Sequence, residues 1–250
     1  MNDQAAQFKA MHVKGSPLVL YNIWDAGSAL ALQEAGAKAL ATGSWSLAAA
    51  QGYQDGEAIP LDFAAQLVAR IAASTELPLS VDFEGGYARS ADEVAQNLRQ
   101  IIKAGAIGIN FEDRIVNGDG LYNVQEQCAR ISAMRRAAED EACPLFINAR
   151  TDLFLGSDPA SHESHRDDAI ERAQAYKDAG ADGFFVPGLT DLKLIKDIVN
   201  AVSLPVNVMM RGKLTSIRKV AELGVARVSY GPGSYINALS DFKERFLALQ

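Results

Sequence analysis

Residues 78–112 read PLSVDFEGGYARSADEVAQNLRQIIKAGAIGINFE. Pro78 opens an apolar run, Leu79–Glu84, and proline is tolerated at a strand's first residue because no ladder donor is lost there. Ser90 with Glu93 has capping-box spacing, so a helix starts at Ala91 and runs to Lys103. Gly105 follows as the helix-ending glycine, the residue that accepts positive φ most readily. A second apolar run, Ile107–Glu112, comes next. Strand, helix, strand in this order is a parallel βαβ unit.

The same punctuation recurs along the chain. Pro17, Pro78, Pro144 and Pro205 precede odd-numbered strands, and Gly36, Gly105, Gly180 and Gly224 precede even-numbered ones. The predicted strands are Leu18–Trp24, Ala37–Thr42, Leu79–Glu84, Ile107–Glu112, Leu145–Arg150, Gly183–Val186, Val206–Met210 and Ala226–Tyr230. The predicted helices are Gly27–Glu34, Leu61–Ser74, Ala91–Lys103, Val124–Asp140, Glu163–Asp178, Leu192–Ala201, Ser216–Glu222 and Tyr235–Leu249. Asn123 with Glu126 repeats the cap. Eight βα units in 250 residues predict a single (β/α)8 TIM barrel over residues 1–250. An open doubly wound sheet usually carries a glycine-rich phosphate turn after its first strand. Here that turn is Trp24-Asp25-Ala26-Gly27-Ser28. The longest breaks in the pattern, Gly43–Pro60, Ile115–Asn123 and Leu155–His162, all follow strands, where barrel enzymes place their functional loops.

Composition narrows the function classes. Hydrophobic residues make up 48% and charged residues 22%, as in an ordinary globular protein. No apolar run is long enough to span a membrane, and Met1–Lys14 does not read as a secretory signal. The net charge of −7, from 24 basic and 31 acidic side chains, makes nucleic acid a poor partner. A small anionic ligand stays compatible, because a local arginine or bound cation outweighs the global charge. Two cysteines, Cys128 and Cys143, form neither a disulfide framework nor a zinc pattern and suit a reducing cytoplasm.

Polar residues inside apolar strands mark the site. Side chains alternate along a strand, so Ser80, Asp82 and Glu84 share one face, and Val81 and Phe83 the other. Asn110 and Glu112 on the fourth strand, and Asn148, Arg150 and Asp152 on the fifth, repeat this. Asp82, Glu84, Glu112 and Arg150 are therefore expected to converge at the barrel mouth. Clustered carboxylates repel unless a cation lies between them. Oxygen-only ligands select a hard ion, Mg²⁺ or Mn²⁺, which keeps several waters. Arg150 offers a fork to a substrate carboxylate. The alternative is a structural ion-pair cluster.

Other signals are weaker. His162-Glu163-Ser164-His165 has metal-like spacing but no third ligand, and reads as a solvated helix face. Gly231-Pro232-Gly233-Ser234 reads equally as a phosphate cradle or a tight turn. Cys128 and Cys143 read as packing residues.

In order and strand position the motifs resemble the isocitrate lyase/phosphoenolpyruvate mutase superfamily, from about Tyr21 to Met210. The likeness includes its oxaloacetate decarboxylase-like and carboxyvinyl-carboxyphosphonate phosphorylmutase-like branch. Asp25-Ala26-Gly27-Ser28-Ala29, Thr42-Gly43-Ser44-Trp45 and Gly52-Tyr53-Gln54-Asp55 are similar to its first loops. Asp82-Phe83-Glu84-Gly85-Gly86-Tyr87, Phe111-Glu112-Asp113-Arg114 and Ala149-Arg150-Thr151-Asp152 are similar to its acidic signatures. The resemblance implies Asp82 as direct Mg²⁺ ligand, with Glu84 and Glu112 acting through water. It also implies that the Ser44 and Trp45 amides hold a substrate oxyanion, that Arg150 holds a carboxylate, and that Asp55 approaches the reacting centre. Tyr21 is an expected substrate contact. A small 2-oxo or 2-hydroxy carboxylic acid, an enolate-like intermediate and a homo-oligomer, tetramer or dimer, follow by the same likeness.

The departures shape the expected reaction. Isocitrate and methylisocitrate lyases in that superfamily carry a Lys-x-Cys-Gly-His lid after the fourth strand. Arg114–Asn123 contains no Cys, His or Lys. Pro187-Gly188-Leu189 replaces a glutamate after the sixth strand, and Asn207 is the substitute polar contact expected on the seventh. Decarboxylation fits this lid best, since CO₂ leaves without needing a proton. A retro-aldol cleavage with Tyr122 or Tyr53 as acid, a phosphorus–carbon hydrolase or mutase, and a carboxylate-binding protein without turnover are the alternatives.

Overall fold

The computed structural model describes residues 2–250. The strands are β1 (Leu18–Leu20), β2 (Leu40–Ala41), β3 (Leu79–Asp82), β4 (Gly108–Glu112), β5 (Phe146–Arg150), β6 (Gly183–Phe185), β7 (Val206–Met209) and β8 (Arg227–Ser229). They pair in parallel in the order β1-β8-β7-β6-β5-β4-β3-β2. A single parallel bridge, Ile23 to Thr42, joins the remaining seam between β1 and β2. The sheet thus closes as the (β/α)8 barrel.

The helices are α1 (Asn2–Ala10), α2 (Ala26–Glu34), α3 (Ser44–Ala50), α4 (Leu61–Ala72), α5 (Ala91–Lys103), α6 (Val124–Asp140), α7 (Arg166–Asp178), α8 (Leu192–Ala201), α9 (Ile217–Glu222) and α10 (Gly233–Leu247). The punctuation behaves as its chemistry requires. Gly36, Gly105, Gly180 and Gly224 all have positive φ. Ser90 accepts the Glu93 amide and Asn123 the Glu126 amide, capping α5 and α6.

Two helices lie outside the expected pattern. In α1, Ala5 and Phe8 are buried and close the barrel's lower end with Leu20, Ile107 and Phe146. Gly108 makes room, since a Cβ there would come within 2.9 Å of the Phe8 ring. Burying a phenylalanine in this way contributes about 1.5–3 kcal/mol. The other, α3, sits inside the predicted Gly43–Pro60 break and directly follows Gly43.

Above the Phe8 plug runs a polar interior layer. Asn148 donates to Asn110 at 2.9 Å and to Asn207 at 3.1 Å, and Arg227 donates to Asn110 at 3.0 Å. Burial pushes the Arg227 guanidinium down to about 9, against the pull of Asp82. Asn207 is wholly buried in this layer, donating to the Val208 carbonyl. It does not line the mouth, which corrects its expected role as a substrate contact: its amide is consumed within the barrel.

Candidate active site

At the C-terminal ends of the strands lie two neighbouring cavities. One, of about 590 Å³, is lined by Ser44, Asp55, Glu84, Glu112, Arg114 and Arg150. The other, of about 180 Å³, shares Ser44, Asp55 and Arg150 and adds Asp82, Trp45 and Arg211. A larger, apolar groove of about 670 Å³ lies between β1 and α2, on the barrel's flank and away from the acidic groups.

Asp82 ends β3. Its Oδ2 accepts the Ser44 amide at 3.1 Å and the Ser44 hydroxyl at 2.9 Å, while Oδ1 is buried without a partner. A buried, unmatched carboxylate oxygen is costly unless something binds it. Asp55 lies across Ser44, 3.3 Å from its hydroxyl. Burial, then the charge of Asp82, pushes the Asp55 carboxyl above the usual range.

Glu84 reaches the mouth by a different route from the predicted one. β3 stops at Asp82, and Glu84 takes a left-handed conformation, φ 51°. Its Oε2 accepts the Gly56 and Glu57 amides at 3.0 and 2.9 Å. Burial, then Asp82 and Asp55, raises its pKa to about 8.

Glu112 and Arg150 are register partners on β4 and β5. Arg150 Nη1 meets Glu112 Oε2 at 2.8 Å. Its Nε and Nη2 fork onto Asp152 at 2.6 and 2.8 Å. Burial opposes the guanidinium charge, but Glu112 and Asp152 hold it well above its ordinary pKa. Burial raises the Glu112 carboxyl despite Arg150. Of five guanidinium N–H groups, these three bonds leave one on each terminal nitrogen for a ligand.

Asp152 is positioned from behind. Its amide donates to Asp113 Oδ1 at 3.0 Å, and Asp113 Oδ2 accepts Tyr176 at 2.8 Å and Arg172 at 3.1 Å. Arg130 of α6 donates to the carbonyls of Gly85 and Ala88, pinning the turn that carries Glu84. The sequence reading missed both supports. The signals were a buried arginine on the apolar side of α6 and two aspartates within the acidic signatures, Asp113 and Asp152.

The segment after β4 folds back as a flap. Arg114 and Leu121 form an antiparallel bridge, and Val116 packs over Gly85, where a Cβ would come within 2.9 Å. Asn117 and Asp119 from its tip line the larger cavity.

Several expected site residues fall elsewhere. Tyr122 lies in a side cavity with its ring 4.0 Å beneath the Arg130 guanidinium, so it is not over the carboxylates. Tyr21 lines the flank groove and packs on Tyr230, because strand alternation turns it outward from the barrel. Tyr53 packs on Phe63. The Ser44 amide is already given to Asp82, whereas Trp45, in the first turn of α3, has no intrahelical partner for its own amide. His162 is buried against Phe154 rather than solvated. The Tyr230 and Gly231 amides are both taken by Asn22 Oδ1 at 2.9 Å, so that segment is a tight turn.

The donor set fits a hard cation held mainly by one direct ligand. Among the described residues no three His, Cys, Asp or Glu side chains converge on one point. Asp82 Oδ1 is the unmatched oxygen of this set.

The raised Glu84 pKa has a measurable consequence. A carboxyl at about 8 in the folded chain and about 4.3 in the unfolded one holds a proton on folding. Stability from this group is full below the unfolded value and is lost as pH rises through the folded one. Without metal, the melting temperature is expected to fall between pH 5 and pH 8, and Glu84→Gln to flatten that slope. An unchanged slope in the variant would count against the assignment.

Comparison with known proteins agrees with the fold and the family resemblance. The phosphoenolpyruvate phosphomutase family matches residues 8–249. A solved candidate phosphonomutase from Burkholderia cenocepacia J2315 is 44% identical, with TM-score 0.95 and full coverage of both chains. The 2-methylisocitrate lyase of Escherichia coli is 33% identical over 80% of this chain and 67% of its own. The oxaloacetate decarboxylase of Pseudomonas fluorescens SBW25 is 28% identical over 68% of this chain and 58% of its own. The chain belongs to the phosphoenolpyruvate mutase/isocitrate lyase superfamily and is an enzyme of its lyase and mutase type.

Proposed function

We propose that this enzyme is a Mg²⁺-dependent lyase, with Mn²⁺ as a substitute, that breaks a carbon–carbon bond in a small 2-oxo or 2-hydroxy acid. Decarboxylation of an oxaloacetate-like acid is the favoured reaction. The observation that carries this reading is the mouth itself: Asp82 with an unmatched oxygen, Glu84 and Glu112 beside it, and Arg150 facing them, under a flap that brings no Cys, His, Lys or Tyr side chain over them.

The cation, held by Asp82 directly and by Glu84 and Glu112 through water, would supply Lewis-acid stabilisation of charge developing on the 2-oxo group. The chain's own residues do the rest. The two remaining Arg150 N–H groups bind the carboxylate next to the oxo carbon. The Trp45 amide, in the first turn of α3, donates to the negative charge that develops on the substrate. Asp55 and Ser44 fix the orientation of Asp82. The bond from C3 to the leaving carboxylate breaks, its electron pair passes into the oxo group as an enolate, and CO₂ departs. The enolate then takes a proton at C3 from water. No acid is required for the leaving fragment, which agrees with the placement of Tyr122 under Arg130.

The test is a turnover assay with oxaloacetate and Mg²⁺, following pyruvate and CO₂. Formation of both, lost on chelation, is the expected result. Glyoxylate from a methylisocitrate-type acid, without decarboxylation, would favour a retro-aldol lyase. The likeness to a candidate phosphonomutase supports a second reading, a phosphorus–carbon hydrolase or mutase, which phosphate release from phosphonopyruvate would reveal. Binding without any turnover would leave a carboxylate-binding protein.

A homo-oligomer, dimer or tetramer, belongs to the same proposal. In α10, Ile236, Leu239, Phe242, Phe246 and Leu247 are exposed, and the flank groove beside β1 presents Val13, Val19 and Tyr21. Two complementary apolar surfaces of this kind support association. Replacing Phe242 and Phe246 with aspartate is expected to reduce the mass in light scattering to that of one chain. Among the described residues no helix is long and apolar enough to cross a membrane.

A further inference from the structure

Arg150 is not the only guanidinium at the mouth. Arg211, just past β7, lines the 180 Å³ cavity that also holds Asp82 and Arg150. Three strands separate β7 from β3 in either direction around the barrel, so Arg211 and Asp82 belong to opposite rims. The two arginines differ in state. Arg150 is neutralised by Glu112 and Asp152. Arg211 is exposed, and among the described residues it has no carboxylate partner. Between the rims the wall is apolar, formed by Trp45, Phe185, Pro187 and Met209. Arg114 also borders the mouth, but in the larger cavity, where Asp55, Glu84, Glu112 and Asp119 repel an anion.

We propose that Arg211 is a second anion subsite that receives the distal carboxylate of a short dicarboxylic substrate whose other end is held at Asp82 and Arg150. This rests on the reading of the mouth as an oxo-acid site. An unpaired guanidinium facing a mostly apolar cavity is a charge for which a complementary carboxylate is the natural partner, and the fork geometry suits it. A monoacid of the same length would leave Arg211 unmatched. Selection then comes from the missing charge-assisted bond rather than from shape.

The test is calorimetric titration in the presence of Mg²⁺ with three probes: oxalate, malate and 2-hydroxybutyrate. The last two differ only by a methyl in place of the distal carboxylate. The wild-type chain is expected to bind malate about tenfold or more tightly than 2-hydroxybutyrate. In Arg211→Gln that ratio should fall towards one, while oxalate, too short to reach Arg211, keeps its affinity. Arg211→Lys should retain part of the preference, since it keeps the charge without the fork. An undiminished malate preference in Arg211→Gln, or no preference in the wild type, with oxalate still bound, would overturn the subsite alone. Absence of Mg²⁺-dependent oxalate binding in the wild type would overturn the oxo-acid reading and the subsite with it.

Discussion

Asp82→Ala is expected to abolish Mg²⁺-dependent ligand binding while leaving the barrel folded. Asp82 is the direct ligand in this account, and its Oδ1 is buried without a partner. Changes to groups that only support a ligand cost ten- to a hundredfold in metal affinity, so removing the ligand itself should cost about a hundredfold or more. The fold should survive because β3 is held by backbone pairing to both neighbours. Removing the carboxylate also relieves repulsion with Asp55 and Glu84. Asp82→Asn separates the parts of the argument. It keeps an oxygen for the Ser44 amide and hydroxyl but loses the charge. It should melt close to the wild type and still fail to bind. Titration of oxalate with and without Mg²⁺, beside a thermal melt, measures both. Metal-dependent affinity that persists in either variant would remove Asp82 from the site.

Arg150→Gln should combine a loss of ligand binding with a loss of stability that depends on pH. The guanidinium lies between Glu112 and Asp152, and all three groups are largely buried. Breaking a buried ion pair from one side costs about 3–5 kcal/mol, because an uncompensated charge stays behind. The Glu112 carboxyl can escape by taking a proton. Burial already raises Glu112, and removal of Arg150 takes away the charge that opposed that rise. The variant should therefore lose most stability at pH 8 and less at pH 5.5, where a protonated Glu112 needs no counter-charge. Urea denaturation at the two pH values reads the difference. A loss below about 1 kcal/mol at both, as for an exposed pair, would contradict the buried cluster.

The parts of this molecule that were legible in the sequence are those with a local cause. A proline before a strand, a glycine after a helix, and Ser90 or Asn123 at a helix start each act within a few residues, so the βα rhythm could be read directly. Asp82, Glu112 and Arg150 could be placed for the same reason: each ends an apolar strand, and alternation along the strand assigns its face. What escaped depends on distant partners. In α1 the buried side chains among the described residues are Ala5 and Phe8, too few to give a periodic signal, and the space for Phe8 comes from Gly108 far along the chain. Glu84 arrives by a left-handed turn rather than by strand alternation. Tyr21 is expected at the mouth by likeness to the family's first loop, and Asn207 as a substitute for the glutamate missing after the sixth strand. In the fold, one faces the flank and the other lies below the floor of the site. The fork between Arg150 and Asp152 needed the loop geometry set by Asp113, Arg172 and Tyr176.

The central claim is that the barrel mouth binds a cation and a planar oxo-acid together. Calorimetric titration of the wild-type chain with oxalate, a dianion shaped like pyruvate enolate, tests it without knowledge of the natural substrate. The account predicts tight binding with Mg²⁺ and loss of that binding on chelation. Equal binding with and without Mg²⁺, or none in either condition, would contradict it.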